Sequence, residues 1–266
     1  ITAISSNSIT ADGLRIGIDR DFFTRNWEGR ISEVIIHDVD QFPIRNTIES
    51  NIFAFYTLLE VFLDGIIESN ATLFATLQRQ IDLQGTATST ASLDVLILDA
   101  NEFIMTLLPD PGLGVSLRKL RGAYTGSVIQ VRRSSDSVTA DIVFDANGDL
   151  DETALLNHVG SGDGFVSIWY DQSGNGYDLV QTVASKQPKI VEAGTTIKEN
   201  SRPTLDFTSG SKSLSQPVGD NWQSIFVVAN STQSPNFPEF EGLITGKTIS
   251  SEFSNAGVGL IGRNGE

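Results

Sequence analysis

Short apolar runs of four to six residues recur through the carboxy-terminal half of this chain, each closed off by glycine, proline, asparagine or serine. Val128-Ile129-Gln130-Val131, Phe165-Val166-Ser167-Ile168-Trp169-Tyr170, Thr204-Leu205-Asp206-Phe207 and Ser224-Ile225-Phe226-Val227-Val228-Ala229 all have the length of strands. Many short strands with turn chemistry between them, and no helix after each strand, build a sandwich rather than a βαβ sheet. The clear helix signal in this half is Asp151 to Val159, with Asp149 or Asp151 as its cap and Leu155, Leu156 and Val159 as its buried face. The expected fold class is therefore all-β. A chain of 266 residues with 39% hydrophobic and 19% charged residues has room for one large β domain or two smaller ones. Its aromatics are mostly phenylalanine, 15 against 4 tyrosines and 3 tryptophans, which suits buried positions because the ring brings area without a polar atom.

The first 43 residues carry the same signal. Leu14-Arg15-Ile16-Gly17-Ile18 alternates with period two, and Gly29 to Asp38 holds a β-branched run suited to a half-buried strand. From about Asp40 the period changes. Ile48, Ile52, Phe55, Leu59, Phe62 and Ile66 follow one another at helical spacing, and after Gly65 and Asn70 the apolar face resumes at Leu73, Leu77 and Ile81. Such a seam either packs on its own domain or joins identical chains in a coiled-coil neck, making neighbouring copies of the chain an expected partner. Gly85 to Ser92 is a small polar linker, and Pro109-Asp110-Pro111-Gly112 stops the apolar segment before it. The expected division is residues 1–43 β, 44–112 helical connector, and 113–266 β.

Charge and composition exclude several function classes. Eighteen basic against 33 acidic residues give a net charge of −15, which repels nucleic acid and anionic lipid. The dense basic run Arg118-Lys119-Leu120-Arg121 reads as salt bridges on a strand edge. With no cysteine there is no thiolate site, and His37 and His158 stand in unlike contexts, so no metal and no other cofactor is expected. Asp145 to Leu156 starts like a calcium loop but has Leu150 where the turn glycine belongs and Leu156 where the bidentate glutamate belongs; a hairpin tip running into a capped helix explains it better. No window of 18 apolar residues spans a membrane. The opening Ile1-Thr2-Ala3 reads as a piece of something longer or a processed product.

Gln130 to Asp136, Asp141-Ile142, Gly162 to Val166 and above all Trp169-Tyr170-Asp171-Gln172-Ser173-Gly174-Asn175-Gly176 resemble the amino-terminal half of the arabinofuranosidase B catalytic domain, with Lys186 to Val191 continuing it. The resemblance implies an antiparallel jelly-roll β-sandwich of the concanavalin and laminin-G kind, over roughly residues 113–230. Relatives of that domain recur in phage tail and fibre proteins and other viral surface proteins, which implies a virion or extracellular setting. The order is inverted, because Leu14 to Ile36 and Arg45 to Ile52 resemble the carboxy-terminal end of the same domain. The chain is then cut from a tandem array, or is permuted so that residues 1–43 complete the sheet of 113–266, or completes a neighbouring chain. An unpaired half sandwich would expose strand edges and apolar faces, so the halves are expected to find each other.

By the same resemblance, Asp19 after Ile16-Gly17-Ile18 inherits the place of the acid/base carboxylate, with Asp21 beside it, while the nucleophile's Asp-x-Glu-Asn-Asn segment has no counterpart. Glu239, Glu241 and Glu252 are the late acidic alternatives. Asp171 and Asn175, with Trp27, are the candidate carbohydrate contacts, although Asp and Asn in a glycine-rich stretch also fold turns through their own backbone. Trp169 and Trp222 offer further rings, Trp169 reading as core. The function expected is a structural, carbohydrate-binding module of a larger assembly facing a glycan or cell-surface polysaccharide; an α-L-arabinofuranosidase-like hydrolase is the alternative.

Overall fold

A computed structural model describes residues 2–11, 14–17, 29–37, 42–56, 112–208, 211–216, 220–231, 241–246 and 260–262. Strands β1 (Thr2–Ala11), β2 (Leu14–Ile16) and β3 (Gly29–His37) precede helix α1 (Arg45–Tyr56). Then come β4 (Leu113–Ser116), β5 (Ile129–Arg133), β6 (Thr139–Ile142), helix α2 (Glu152–Val159), β7 (Gly164–Trp169) and β8 (Leu179–Val180). The last strands are β9 (Lys189–Glu192), β10 (Thr195–Thr196), β11 (Lys198–Glu199), β12 (Arg202–Pro203), β13 (Leu205–Asp206), β14 (Leu214–Gln216), β15 (Asp220–Ser231), β16 (Glu241–Gly246) and β17 (Leu260–Gly262). Every pairing among these strands is antiparallel.

The sheet divides at β7. One edge of β7 carries β5 along its whole length, while β9 pairs with its start at Gly164 and Phe165 and β8 with its end at Ile168 and Trp169. From β9 one leaf runs through β13, β3 and β15 to β1; from β8 the other runs through β14, β2 and β16 to β17. Inward residues of both leaves meet in one core, with Ile31, Val34, Val191 and Ile225 from the first and Leu14, Ile16, Leu179 and Leu214 from the second. A sheet that curls on itself in this way buries one face without needing a second sheet.

The two separated sequence pieces meet within one chain. β3 pairs with β15, β13 and β4, and β2 pairs with β14 and β16. Gly17 closes β2 at φ 89°, where a Cβ would run into the Phe207 ring and the Lys212 carbonyl, so the left-handed region and the close approach both require glycine.

Helix α1 explains why β3 is buried on both faces from Ile31 onward. Ile31, Val34 and Ile36 face the main core, whereas Ile35 joins Ile48, Leu120 and Phe226 in a second cluster, with Ile52 packed against it. The seam positions Ile48 and Ile52 are therefore spent on the chain's own sheet; Leu59, Phe62 and Ile66 lie outside the described residues. Beneath the helix, Glu33 and Arg118 form a buried bidentate pair, Nε to Oε2 at 2.7 Å and Nη2 to Oε1 at 3.1 Å. The basic run at Arg118 does make a salt bridge, but in the interior and not on an exposed edge. In α2, Asp151 is the cap, accepting from the Ala154 amide at 2.9 Å.

His37 ends β3 fully buried, edge-on to Phe226, and neither ring nitrogen has a hydrogen-bond partner among the described residues. Burial lowers its pKa from 6.5 to about 4. The unfolded chain takes up a proton as pH falls through 6.5 while the folded one does not until about 4, so this residue withdraws stability across that window. At about 1.4 kcal/mol per pH unit the full loss is about 3 kcal/mol. Urea unfolding at pH 7 and pH 4.5 should show the wild type losing about 2–3 kcal/mol more than His37→Leu; equal losses would remove His37 from the acid response.

Candidate functional site

The WYDQSGNG stretch leaves β7 and turns back into β8. Strand alternation sends Trp169 into the core, fully buried, and the chain then turns at Asp171. That carboxylate is 4% exposed and accepts four hydrogen bonds: Oδ1 from the amides of Gly114 and Ser173, both at 2.9 Å, and Oδ2 from the Ser173 hydroxyl at 2.6 Å and the Tyr177 amide at 3.1 Å. Gln172 continues the tie, its Oε1 accepting from the Leu120 amide and its Nε2 donating to the carbonyls of Ser116 and Arg118. Asn175 donates from Nδ2 to the Gly112 carbonyl at 2.9 Å. Gly174 and Gly176 supply the positive φ values, 98° and 75°, that close the loop. Asp171 and Asn175 thus sit together and fasten the loop to β4. Trp27 and Asp19, with Asp21, Glu239 and Glu252, lie outside the described residues, and the side chains of Trp222 and Glu241 are likewise not described.

On the solvent side of this loop lies a second group that sequence inspection passed over: Tyr124, Tyr170, Asp141 and Asp178. The Tyr170 hydroxyl donates to Asp141 Oδ1 at 2.9 Å, and Asp178 Oδ1 accepts from the Asp171 amide at 2.9 Å. Burial and the neighbouring carboxylates of Asp178 and Asp171 push the Tyr124 phenol up to about 12, and burial with the bonded Asp141 raises Tyr170 further. Burial also lifts the Asp178 carboxyl above its ordinary value, helped by Asp171 and opposed by the amide bond. Both phenols therefore stay protonated at neutral pH, Tyr124 donating to the Ser127 carbonyl at 2.7 Å and Tyr170 to Asp141. Rings with hydroxyl donors beside carboxylate acceptors are the set of groups that grips sugar hydroxyls and C–H faces. The signal was present in the alternation: with Trp169 inward, the next residue, Tyr170, has to face out.

A cleft between α1 and the Ser201-Arg202-Pro203 turn, lined by Phe55, Arg118, Asp149 and Glu152, holds about 70 Å3. That volume suits a couple of waters, at roughly 30 Å3 each, and not a sugar ring. Elsewhere in residues 112–208 each carboxylate accepts from a backbone amide, a hydroxyl or a cation.

No curated protein and no solved structure matches this chain. The stretch that contains the loop, the tyrosine–carboxylate group and the strands beneath them, residues 114–233, matches the family model described as alpha-L-arabinofuranosidase B, catalytic.

Proposed function

We propose that this chain is a non-hydrolytic, carbohydrate-binding β-sandwich of the concanavalin-like jelly-roll kind, serving as a structural module of a larger assembly. The observation that carries the reading is the match of residues 114–233 to a sugar-processing family, in a stretch whose described carboxylates other than Asp141 and Asp178 are engaged in holding the fold. A retaining glycosidase needs two carboxyl groups about 5–5.5 Å apart across an open bond-cleaving site. Among the described residues the exposed polar face presents Tyr124, Tyr170, Asp141 and Asp178, a surface suited to holding a sugar. The resemblance of the sequence to domains of phage tails and fibres motivates placing the assembly on a virion or another extracellular surface.

The hydrolase reading is favoured by one observation, that the matching family model is of a catalytic domain. Affinity electrophoresis in gels containing arabinan, run beside an aryl arabinofuranoside assay, separates the two. Binding without chromophore release is expected, with retardation weakened at least fivefold in Tyr124→Ala and Tyr170→Ala. Chromophore release that disappears in Asp19→Asn would replace the binding reading with the enzymatic one.

A further inference from the structure

Arg132 on β5, Phe165 on β7 and Lys189 on β9 are directly opposed across adjacent strands, so their side chains rise from the same face of the sheet. Around the Phe165 ring, three cations gather among the described residues: the Arg132 guanidinium carbon at 4.8 Å from the centroid, Lys212 Nζ at 5.7 Å and Lys189 Nζ at 5.9 Å. Each lies within the reach of the ring's negative face. In a chain of net charge −15 this is a local concentration of the opposite sign.

The cations are differently balanced. Lys189 is paired with Glu192 at 2.9 Å and Asp163 at 3.4 Å. Among the described residues, the bonds that fix Arg132 and Lys212 go to neutral oxygens. Arg132 Nε donates to Gln187 Oε1 at 2.8 Å and its Nη2 to the Ala184 carbonyl, while Lys212 Nζ donates to the Ser185 carbonyl at 2.8 Å. Both therefore hang from one short turn, Ala184–Lys186, and its cap Gln187, which is 4% exposed and itself donates to the Gln181 carbonyl. The nearby Asp206 carboxylate is engaged by the Thr208 amide and hydroxyl. Burial lowers the Lys212 pKa, and Lys189 and Arg132 lower it again against Asp206, the mark of like charges held close.

We infer that the solvent face of β5, β7 and β9 is a subsite for the acidic group of a glycan, a uronate carboxylate or a sulfate, received between Arg132 and Lys212 beside Phe165. An anion there relieves the repulsion among the cations and finds a guanidinium already oriented, so less ordering is lost on binding. The chain's overall negative charge does not forbid this, because at physiological salt the field decays over about 8 Å and contact is governed by the local cluster. The subsite also continues the tyrosine–carboxylate surface. Gln130, two residues from Arg132 on the same face of β5, donates to Asp141 Oδ1 at 3.1 Å, and Asp141 holds Tyr170. A polysaccharide lying along β5 would meet both. The inference rests on the carbohydrate-binding reading and names the class of glycan within it.

Affinity electrophoresis on the whole chain tests it with three gels: polygalacturonate, fully methyl-esterified polygalacturonate and arabinan. The expected result is retardation by polygalacturonate at least tenfold stronger than by its neutral ester, lost in the Arg132→Gln/Lys212→Met double variant and kept in Lys212→Arg. Near-ultraviolet circular dichroism of each variant reports that the fold is intact. Retardation by arabinan with no preference for the acid over the ester, or a preference untouched by the double variant, overturns the acidic subsite and leaves the binding reading standing. No retardation in any gel overturns both.

Discussion

Glu33→Ala should lower the unfolding free energy by about 3–5 kcal/mol, the cost of stranding one partner of a buried ion pair. Glu33 is fully buried and Arg118 is 7% exposed, so neither charge can turn to water when the other is removed. The pair is also the hub of a network. Ser116 and Tyr56 donate to Glu33 Oε2 at 2.9 and 3.2 Å, and Arg118 Nη1 donates to Asn51 at 2.8 Å. The Arg118 guanidinium further lies 4.6 Å from the Phe55 ring centre. Removing the carboxylate leaves a guanidinium with only an amide and two rings for company, and unseats α1 through Asn51, Phe55 and Tyr56 together. Against a typical domain stability of about 5–15 kcal/mol, that is enough to leave part of the population unfolded at room temperature. Replacing both partners by apolar residues of similar size, Glu33→Leu with Arg118→Met, should recover most of the loss, because the pair's attraction mainly offsets its own desolvation. Urea unfolding of Glu33→Leu, Arg118→Met and the double closes the cycle. A loss below about 1 kcal/mol in Glu33→Ala would mean that solvent reaches the pair and that α1 is not seated on it.

Local periodicity carried the local structure. The strand from Gly29, the alternation at Leu14, the apolar run at Phe165 and the capped helix after Asp151 all reflect spacing that adjacent residues set among themselves. That the two sequence pieces need a partner was legible for a different reason, since a half sandwich exposes too many edges to stand alone; that the partner is the same chain, with β3 between β15 and β13, was not. What stayed hidden depends on partners far along the chain. Glu33 and Arg118 are 85 residues apart, and nothing in the charge pattern around either selects the other. β4 is four residues long and follows a proline-rich segment, so its strand character comes from lying beside β3 and not from its own pattern. The second face of β3 was masked because Ile35 and Ile36 read as one apolar run, when one faces the core and the other faces α1. At the loop, the sequence put Asp171 and Asn175 in one place but could not divide ligand contact from loop organisation. That division depends on the amides of Gly114 and Tyr177, which only the folded backbone brings to the carboxylate. Tyr124 is separated from Asp178 by a strand, a hairpin and a helix, and no motif joins them.

Asp171→Asn, a change of one atom in size and shape, should cost about 3 kcal/mol and loosen the whole loop. Both carboxylate oxygens are acceptors only, and each receives two donors. An asparagine keeps one acceptor oxygen and puts an amide group where the other was. Whichever way it is turned, two donors then point at a donor, either the amides of Gly114 and Ser173 or the Ser173 hydroxyl and the Tyr177 amide. Each backbone amide left without its acceptor in a buried site costs about 1–3 kcal/mol, and the bonds lost are to a charged group, the stronger kind. The hydroxyl can rotate to another acceptor, which is why the expected figure lies below the sum of the separate bonds. The consequence reaches beyond stability, because the Asp171 amide in turn holds Asp178, and Asp178 neighbours Tyr124 and Tyr170. Hydrogen exchange should therefore speed up at Gly114, Ser173 and Tyr177 in Asp171→Asn, while exchange in α2 and the amides of β5 that pair with β6 stays as in the wild type. Glycan retardation should fall with it, even though Asp171 itself is buried. Asp171→Ala is expected to show the same pattern with a larger loss. An asparagine variant as stable as the wild type, with unchanged exchange at those three amides, would mean that the loop is held by Gln172 and Asn175 alone.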